Sequence, residues 1–322
     1  MARTIVGVLR GGTSPEYDLS IKTGAVMLNA LSEDTYDTRD ILIDKRGMWH
    51  SRGFPVDPAR AVQQVDVVLN GLHGGVGEDG TVQRILEQVG VPYVGSSPRA
   101  SALSLNKIRA AEILQHAGIV MPQTVSFHAS HDMGVDEMAR SVFAQFGPPY
   151  IVKPAREGAS HGIQLAHTII ELPSVLADVL DAFGDALVQE FVRGSEATVG
   201  MIDDFRGEEI YALPPAQITF PAEASFLHFD HHTEGLLKHL VPAEFSHEEK
   251  AALVDAAKQA HRALGLSHYS RADFILTRRG PYLLEVNALP GLHEHAAFPP
   301  MLESVGSSMA DFLGHVVGLA RR

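Results

Sequence analysis

Pairs of charged or amide side chains two residues apart occur in two short strings near the C-terminal end of the sequence. The strings SRADFIL and LLEVNALPG contain Arg271, Asp273, Glu285 and Asn287. Side chains two residues apart on a β-strand share a face, so a hairpin of these strings would bring the four groups together. Carboxylate and amide oxygens suit Mg²⁺, which completes its shell with substrate phosphates. The alternative is the solvent-facing polar side of an antiparallel hairpin.

Two lysines could supply the cationic half of a nucleotide site. Lys107 lies in the predicted helix at SLNK, and Lys153 ends the predicted strand in YIVKP. The compact ammonium group of lysine neutralises phosphate oxygens, although each lysine alone also fits an ordinary surface position. Lys153 is followed by a glycine-containing loop, residues 157–162, whose backbone N–H groups could surround phosphates. The sequence therefore predicts that phosphates bind beside this loop.

The string HGGVGEDG, residues 73–80, has the GxGxxG spacing of a dinucleotide-binding loop and lies between a predicted strand and a predicted helix. Glu78 and Asp79 would direct negative charge at a bound pyrophosphate. No acidic residue ends a second strand at the expected distance. We therefore do not interpret this loop as a nicotinamide site.

A carboxylate follows the first predicted strand. Glu16 lies shortly after Gly11 and Gly12 and before a helix that starts near Leu19. It could hold a substrate ammonium through a charge-assisted hydrogen bond. The alternative is an acidic residue that interacts favourably with the helix dipole.

Length and charge restrict the class of protein. A chain of 322 residues exceeds one typical hydrophobic core and favours two or three lobes. The net charge of -13, with scattered basic residues, argues against a nucleic-acid partner. No stretch predicts a membrane-spanning helix, and the absence of cysteine permits a reducing compartment, so we expect a cytoplasmic protein.

The hydrophobic pattern divides the chain into three regions. Alternating strand-like and helix-like segments in residues 1–97 predict a parallel sheet with crossover helices. Residues 98–188 begin with a helical pattern from Ala100 to Ala117 and end in a strand that leads into a hinge. Residues 189–322 contain antiparallel-type strands, a helix from His247 to Leu264 and the polar hairpin.

Several strings together resemble the D-alanine–D-alanine ligase family, in the family's order and spacing. The strings are RGGTSPEYDLS, LHGGVGEDGTVQ, SALSLNK, YIVKPAREGASHG, VQEFVRGSEATVG, SRADFIL and YLLEVNALPG, with HEH close behind. The resemblance implies an α/β (α+β) protein with a three-lobed ATP-grasp fold and an N-terminal parallel-sheet, Rossmann-like domain. It also implies ATP and two Mg²⁺ or Mn²⁺ ions as cofactors, D-alanine as substrate, peptidoglycan precursor synthesis and a homodimer.

The resemblance also implies roles for individual residues. Glu16 would bind the ammonium of the first D-alanine, with His73, His295 and Ala296 in the substrate pocket. Ser160 of the glycine-containing loop would join Glu16 as a catalytic residue. Arg271 and the backbone of Gly291 would stabilise the oxyanion. The nucleotide-binding residues would be Lys107, Lys153, Gln189, Glu190, Phe191, Val192 and Glu196, and the metal ligands would be Asp273, Glu285 and Asn287.

The sequence departs from the family around the acceptor and the expected lid, residues 219–242. His232 and Thr233 replace a Lys-Tyr pair, and Ala159 and Ala296 replace serines. Ala288 replaces a serine or threonine, and Gln189 replaces the commoner glutamate. The spacing of His228, His231, His232 and His239 matches no standard zinc pattern. A ligase with another acceptor, such as D-lactate, D-serine or another amino acid, and a catalytically silent nucleotide-binding protein therefore stay open.

Overall fold

The computed structural model describes residues 3–130, 132–158, 160–219 and 237–322, and its strands form three sheets. The strands are β1 Thr4–Gly11, β2 Tyr36–Ile43, β3 Trp49–Ser51, β4 Phe54–Pro55, β5 Val67–Asn70, β6 Tyr93–Val94, β7 Thr124–His128, β8 Tyr150–Lys153, β9 Gln164–Ala166, β10 Asp185–Glu190, β11 Ser195–Phe205, β12 Glu208–Ala212, β13 Ala216–Thr219, β14 Lys238–Leu240, β15 Tyr269–Thr277 and β16 Gly280–Asn287.

The first sheet has the strand order β4-β3-β2-β1-β5-β6. Strands β1, β2, β5 and β6 pair in parallel, which confirms the arrangement expected from the alternating pattern. The near-continuous apolar run of β1 reflects burial on both faces, as is usual in parallel sheets. An antiparallel extension, β2-β3-β4, which the sequence pattern did not reveal, completes one edge.

The other two sheets are antiparallel and are joined by a short hinge. The second has the order β7-β10-β8-β9, and the third has the order β14-β13-β11-β15-β16 with β12 beside β11. Strand β10 ends at Glu190 in the second sheet, and β11 begins at Ser195 in the third. The predicted hinge between the second and third regions is therefore confirmed.

The helices cover the sheets and fix the positions of several site residues. They are α1 Tyr17–Ala30, α2 Pro58–Val62, α3 Thr81–Val89, α4 Pro98–Leu105, α5 Lys107–His116, α6 Val135–Phe143, α7 Leu172–Phe183, α8 His247–Leu264, α9 Phe298–Ser304 and α10 Met309–Ala320. Helix α8 has the predicted bounds, because Ser246 and Glu249 form a capping box at its start and left-handed Gly265 ends it.

The prediction of one helix from Ala100 to Ala117 was wrong. Asn106 has an extended ψ of 96° and separates α4 from α5. Its side chain accepts a hydrogen bond of 3.1 Å from the backbone N–H of Arg109, as a helix N-cap does. This break makes Lys107 the first residue of α5, and its backbone N–H donates to the carbonyl of Ala155, next to the glycine-containing loop.

The largest apolar core joins the beginning and the end of the chain. Val6 and Val8 of β1 belong to the same buried cluster as Phe298 of α9 and Phe312 of α10. Tyr269 of the third sheet packs edge to face on both phenylalanines. Helices α9 and α10 therefore pack between the first and third sheets, whereas the proposed boundaries at residues 97 and 188 stay a prediction. Within the described residues, no helix combines the length and apolar character needed to cross a bilayer.

Candidate active site

A cavity of about 600 Å³ opens where the three sheets approach one another. It is lined by all the residues that the sequence analysis assigned to the site: Glu16, His73, Lys107, Lys153, Ser160, Gln189, Glu190, Phe191, Val192, Glu196, Arg271, Asp273, Glu285, Asn287, Gly291, His295 and Ala296. The structure thus brings them together, while their individual roles stay predictions.

The polar hairpin of β15 and β16 forms one wall of the cavity. Arg271 lies opposite Asn287, and Asp273 lies opposite Glu285, so the predicted convergence is confirmed. Arg271 donates two hydrogen bonds, of 2.9 and 2.7 Å, to the two carboxylate oxygens of Asp273. The hydroxyl of Thr198 donates a third, of 2.6 Å, from the neighbouring strand β11. These hydrogen bonds therefore hold the carboxylate oxygens of Asp273 in fixed positions beside the guanidinium of Arg271.

Two lysines face this wall. The Nζ of Lys107 lies 3.2 Å from a carboxylate oxygen of Glu285 and donates a 2.5 Å hydrogen bond to the carbonyl of Glu157. Lys153 is only 5% exposed, and burial lowers its pKa to about 8 although Glu285 acts in the opposite direction. Burial alone would raise the pKa of Glu285, but Lys107 and Lys153 outweigh it and hold that pKa at about 2. Glu285 is therefore ionised at neutral pH.

The glycine-containing loop closes over Glu16. Gly158 approaches Glu16 so closely that a Cβ on this glycine would overlap the carboxylate oxygen Oε1. Burial raises the pKa of Glu16 to about 7, and the nearby charge of Glu78 adds to the effect. Ser160, with a φ of 61°, lies further along the same loop. Glu16 is thus a carboxyl group that titrates close to neutral pH.

The hinge forms the opposite end of the cavity. The side chain of Gln189 donates to the hydroxyl of Thr124, and the carboxylate of Glu190 accepts from the backbone N–H of Gln123. Across the hinge, burial raises the pKa of Glu196 to about 8, and Asp273 adds to the increase. The two hydrogen bonds hold the backbone of the hinge in place. The protonatable carboxyl group of Glu196 lies beside it.

The segment after β16 lies between the hairpin and α1. The backbone N–H of Leu292 donates to the hydroxyl of Thr23, which also lies 2.7 Å from the Nε2 of buried His73. His295 pairs with Glu294 and is 41% exposed, although it lines the cavity. The sequence analysis did not assign His293 to the site, yet it also lines the cavity; the only available signal was its place two residues after Gly291.

The glycines of the HGGVGEDG loop serve packing. A Cβ on Gly77 would collide with Leu72, and one on Gly80, whose φ is 86°, would collide with the backbone of Pro98. Glu78 accepts a hydrogen bond from the N–H of Gly74 and directs its charge toward the cavity. The loop therefore holds a carboxylate where a dinucleotide site would need to receive phosphate.

Part of the expected lid lies outside the described residues. The lid residues concerned are 220–236, which include His228, His231, His232 and Thr233. Ala159 in the glycine-containing loop also lies outside the described residues. His239 is described and lies on β14. Burial lowers its pKa to about 4, with Arg271 contributing, so His239 is neutral at pH 7.

Solved structures share this fold over its whole length. VanG D-Ala:D-Ser ligase from Enterococcus faecalis is similar with a TM-score of 0.85 and 26% identity, covering 99% of this chain and 100% of that chain. The D-alanine–D-alanine ligase from Bacillus anthracis complexed with ATP has a TM-score of 0.80 and 26% identity, covering 99% and 97%. The fold and its cavity define an ATP-dependent ligase of the ATP-grasp class.

Sequence comparison identifies the family within this class. The family described as D-ala D-ala ligase C-terminus matches residues 113–318, and that described as D-ala D-ala ligase N-terminus matches residues 50–96. A D-alanine–D-alanine ligase from Geobacter sulfurreducens is 36% identical, covering 98% of this chain and 93% of the relative. The chain belongs to the D-alanine–D-alanine ligase family.

Proposed function

We propose that this chain uses ATP to join two D-alanine molecules into D-alanyl-D-alanine through an acyl-phosphate, for peptidoglycan precursor synthesis in the cytoplasm. The observation that carries the proposal is the meeting of Lys107, Lys153 and Glu285 in the cavity that also holds Glu16 and Arg271. These groups match a reaction that needs charge neutralisation and positioning more than a protein nucleophile.

The nucleotide would occupy the cavity between the hinge and the two lysines. Its adenine would lie against the hinge, residues 189–192, and its ribose beside Glu196. Lys107 and Lys153 would contact the phosphates, and the backbone of the glycine-containing loop would surround them. Lys107 already joins this loop to Glu285, which supports a role in closing the loop over the triphosphate.

The hairpin wall fits Mg²⁺ or Mn²⁺. Asp273 and Glu285 are opposite one another, Asn287 is nearby, and the low pKa of Glu285 keeps that ligand ionised. Among the described residues, no group of three or more histidine or acidic side chains forms a complete metal cage. This fits a magnesium ion that takes few protein ligands and draws the others from phosphate. When bound, the metal would neutralise charge on the transferring phosphoryl group.

Glu16 would bind the ammonium of the first D-alanine at the other end of the cavity. The γ-phosphoryl group of ATP transfers to a carboxylate oxygen of this substrate, and ADP leaves. The unprotonated amine of the second D-alanine attacks the carbonyl carbon, the bond to phosphate breaks, and the amine proton passes to solvent. Arg271 and the N–H of Gly291 would stabilise the tetrahedral oxyanion before phosphate leaves.

A second candidate is the same reaction with another acceptor, such as D-serine or D-lactate. The similarity to VanG D-Ala:D-Ser ligase and the methyl side chain of Ala296 in the cavity favour keeping this candidate. A third candidate, a catalytically silent nucleotide-binding protein, could use the lysines and carboxylates to bind ATP but has little need for Arg271, the proposed oxyanion arginine, in the same cavity. We further propose a homodimer, on the basis of the family resemblance.

Phosphate release from ATP and Mg²⁺, combined with mass analysis of the products, tests the proposal. D-Alanine alone should release phosphate and yield D-alanyl-D-alanine. Release only when D-serine or D-lactate is added would select the second candidate. Absence of turnover with every donor and acceptor pair would refute the ligase proposal.

A further inference from the structure

His293 is a buried side chain that the proposed mechanism does not use. It follows β16 in the segment that Leu292 anchors to Thr23 of α1, and the residue is only 8% exposed. The residue nevertheless lines the central cavity beside Gly291 and Ala296. A histidine in this position is therefore within reach of a molecule bound at the substrate end.

The Nδ1 of His293 has no hydrogen-bond partner among the described residues. The other buried side-chain atoms without a partner in that part of the chain belong to residues that do not line the cavity: Gln83, Tyr150 and Ser307. A buried ring nitrogen without a partner is less unfavourable as a lone pair than as an N–H, so this observation identifies Nδ1 as the unprotonated nitrogen.

The geometry indicates which nitrogen of His293 lies beside Gly291. The edge of the ring carrying Nε2 lies 3.1 Å from the position that a Cβ on Gly291 would take. Burial lowers the pKa of His293 to about 3, so the ring is neutral and carries one proton. A buried N–H without an acceptor is rarer than a buried lone pair without a donor. We therefore assign the proton to Nε2, which makes the edge beside Gly291 a hydrogen-bond donor.

The charges around His293 suit an anion. The groups that lower its pKa besides burial are the positively charged or protonatable side chains of His73, Lys22, His295 and Arg271. Two other cations of the cavity are already paired, since Arg271 bonds Asp273 and Lys107 lies against Glu285. The donor at Nε2 is uncommitted within the described residues, so it can bind a carboxylate that enters this end of the cavity.

We propose that His293 is a specificity-determining residue, whose Nε2–H donates a hydrogen bond to the carboxylate of the second, amine-bearing substrate. This inference rests on the proposed ligase function. The contact holds the acceptor beside Gly291, where its amine would meet the activated carbonyl of the first substrate. It therefore predicts selection for an acceptor with a free carboxylate.

A competition between two acceptors tests the contact. D-Alanine serves as donor, D-alanine and D-alaninamide compete as acceptors, and mass spectrometry gives the ratio of dipeptide to dipeptide amide. His293→Leu should lower this ratio about 10- to 100-fold, the range expected for a hydrogen bond to a charged group. His293→Gln should keep it within about threefold, because its amide N–H can occupy the place of Nε2–H. An unchanged ratio in His293→Leu would overturn the proposal.

Two controls separate this role from a structural one. His167→Leu, a matched change at an exposed histidine, should leave the ratio unchanged. His293→Leu should not lower the melting temperature, because an apolar group replaces an unpartnered buried one. A lower melting temperature together with an unchanged ratio would indicate that His293 only supports the fold.

A binding measurement distinguishes failure of this inference from failure of the ligase proposal. With ADP and magnesium present, D-alanine should shift the imidazole ¹⁵N resonance of His293, assigned by comparison with His293→Gln, and D-alaninamide should not. Such a shift in a protein that forms no dipeptide would support the His293 contact while refuting the ligase proposal. The absence of a shift in an active ligase would refute only the contact.

Discussion

The ammonium of Lys107 lies 3.2 Å from the carboxylate of Glu285 and also bonds the backbone carbonyl of Glu157. One side chain at the start of α5 therefore connects the glycine-containing loop to strand β16. Because Glu285 is also a proposed metal ligand, a change in its charge should alter both the position of the loop and the binding of phosphate.

Replacement of Glu285 should abolish turnover. Glu285→Ala removes a proposed magnesium ligand and leaves Lys107 without its carboxylate partner. We expect less than about a tenth of the wild-type rate of phosphate release at saturating ATP and Mg²⁺. Glu112→Ala, at an exposed carboxylate that pairs with Arg109, is the matched control and should keep full activity. Activity above a tenth in Glu285→Ala would contradict the assigned role.

The affinity for the first D-alanine should increase between pH 6 and pH 8. The raised pKa of Glu16, about 7, means that this carboxyl is protonated below that pH and charged above it. Only the charged form attracts the substrate ammonium strongly, so the KM for the donor should fall as the pH rises. Glu16→Gln cannot titrate and should give a high KM that does not change with pH. An equally steep profile in this variant would exclude Glu16 as its origin.

Gly158→Ala should weaken donor binding. The new methyl group would overlap the Oε1 of Glu16, so either the carboxylate or the loop must move. We expect the donor KM to rise about tenfold, which corresponds to roughly 1.4 kcal/mol. Gly134→Ala is the matched control, because its Cβ would enter open space. Equal effects of the two substitutions would show that the contact with Glu16 is unimportant.

Loss of the Phe298 ring should destabilise the whole protein. This fully buried side chain packs against Tyr269 of the third sheet and Phe312 of α10. Phe298→Ala should lower the free energy of unfolding by about 3–5 kcal/mol, measured by urea titration. Phe143→Ala removes a ring that is 54% exposed and should cost less than about 1 kcal/mol. A small effect at Phe298 would mean that the core can collapse around the lost ring.

Local sequence patterns predicted the parts of this structure that depend on neighbouring residues. The two-residue spacing of Arg271 and Asp273 was sufficient to place both groups on one face, because the strand period determines that face. Similarly, Ser246 and Gly265 mark the ends of α8 with their own backbone geometry. Such features require no knowledge of distant parts of the chain.

Features that depend on distant contacts could not be predicted in the same way. Asn106 fits the periodic pattern of a longer helix. Its N-cap hydrogen bond from Arg109 is local, but the second contact at this break, from the N–H of Lys107 to the carbonyl of Ala155, involves a distant part of the chain. The apolar residues of α9 indicate that one face is buried, but not against which sheet. That Nδ1 of His293 has no partner among the described residues depends on the surrounding segments, which no local pattern can predict.

The two ends of the chain meet in space: the guanidinium of Arg321 donates a 2.9 Å hydrogen bond to the hydroxyl of Thr4. Strand β1 is synthesised long before α9 and α10, the helices that cover Val6 and Val8. The apolar surface of the first sheet is therefore covered only after these helices have formed, and a chain truncated before α9 would expose that surface to aggregation.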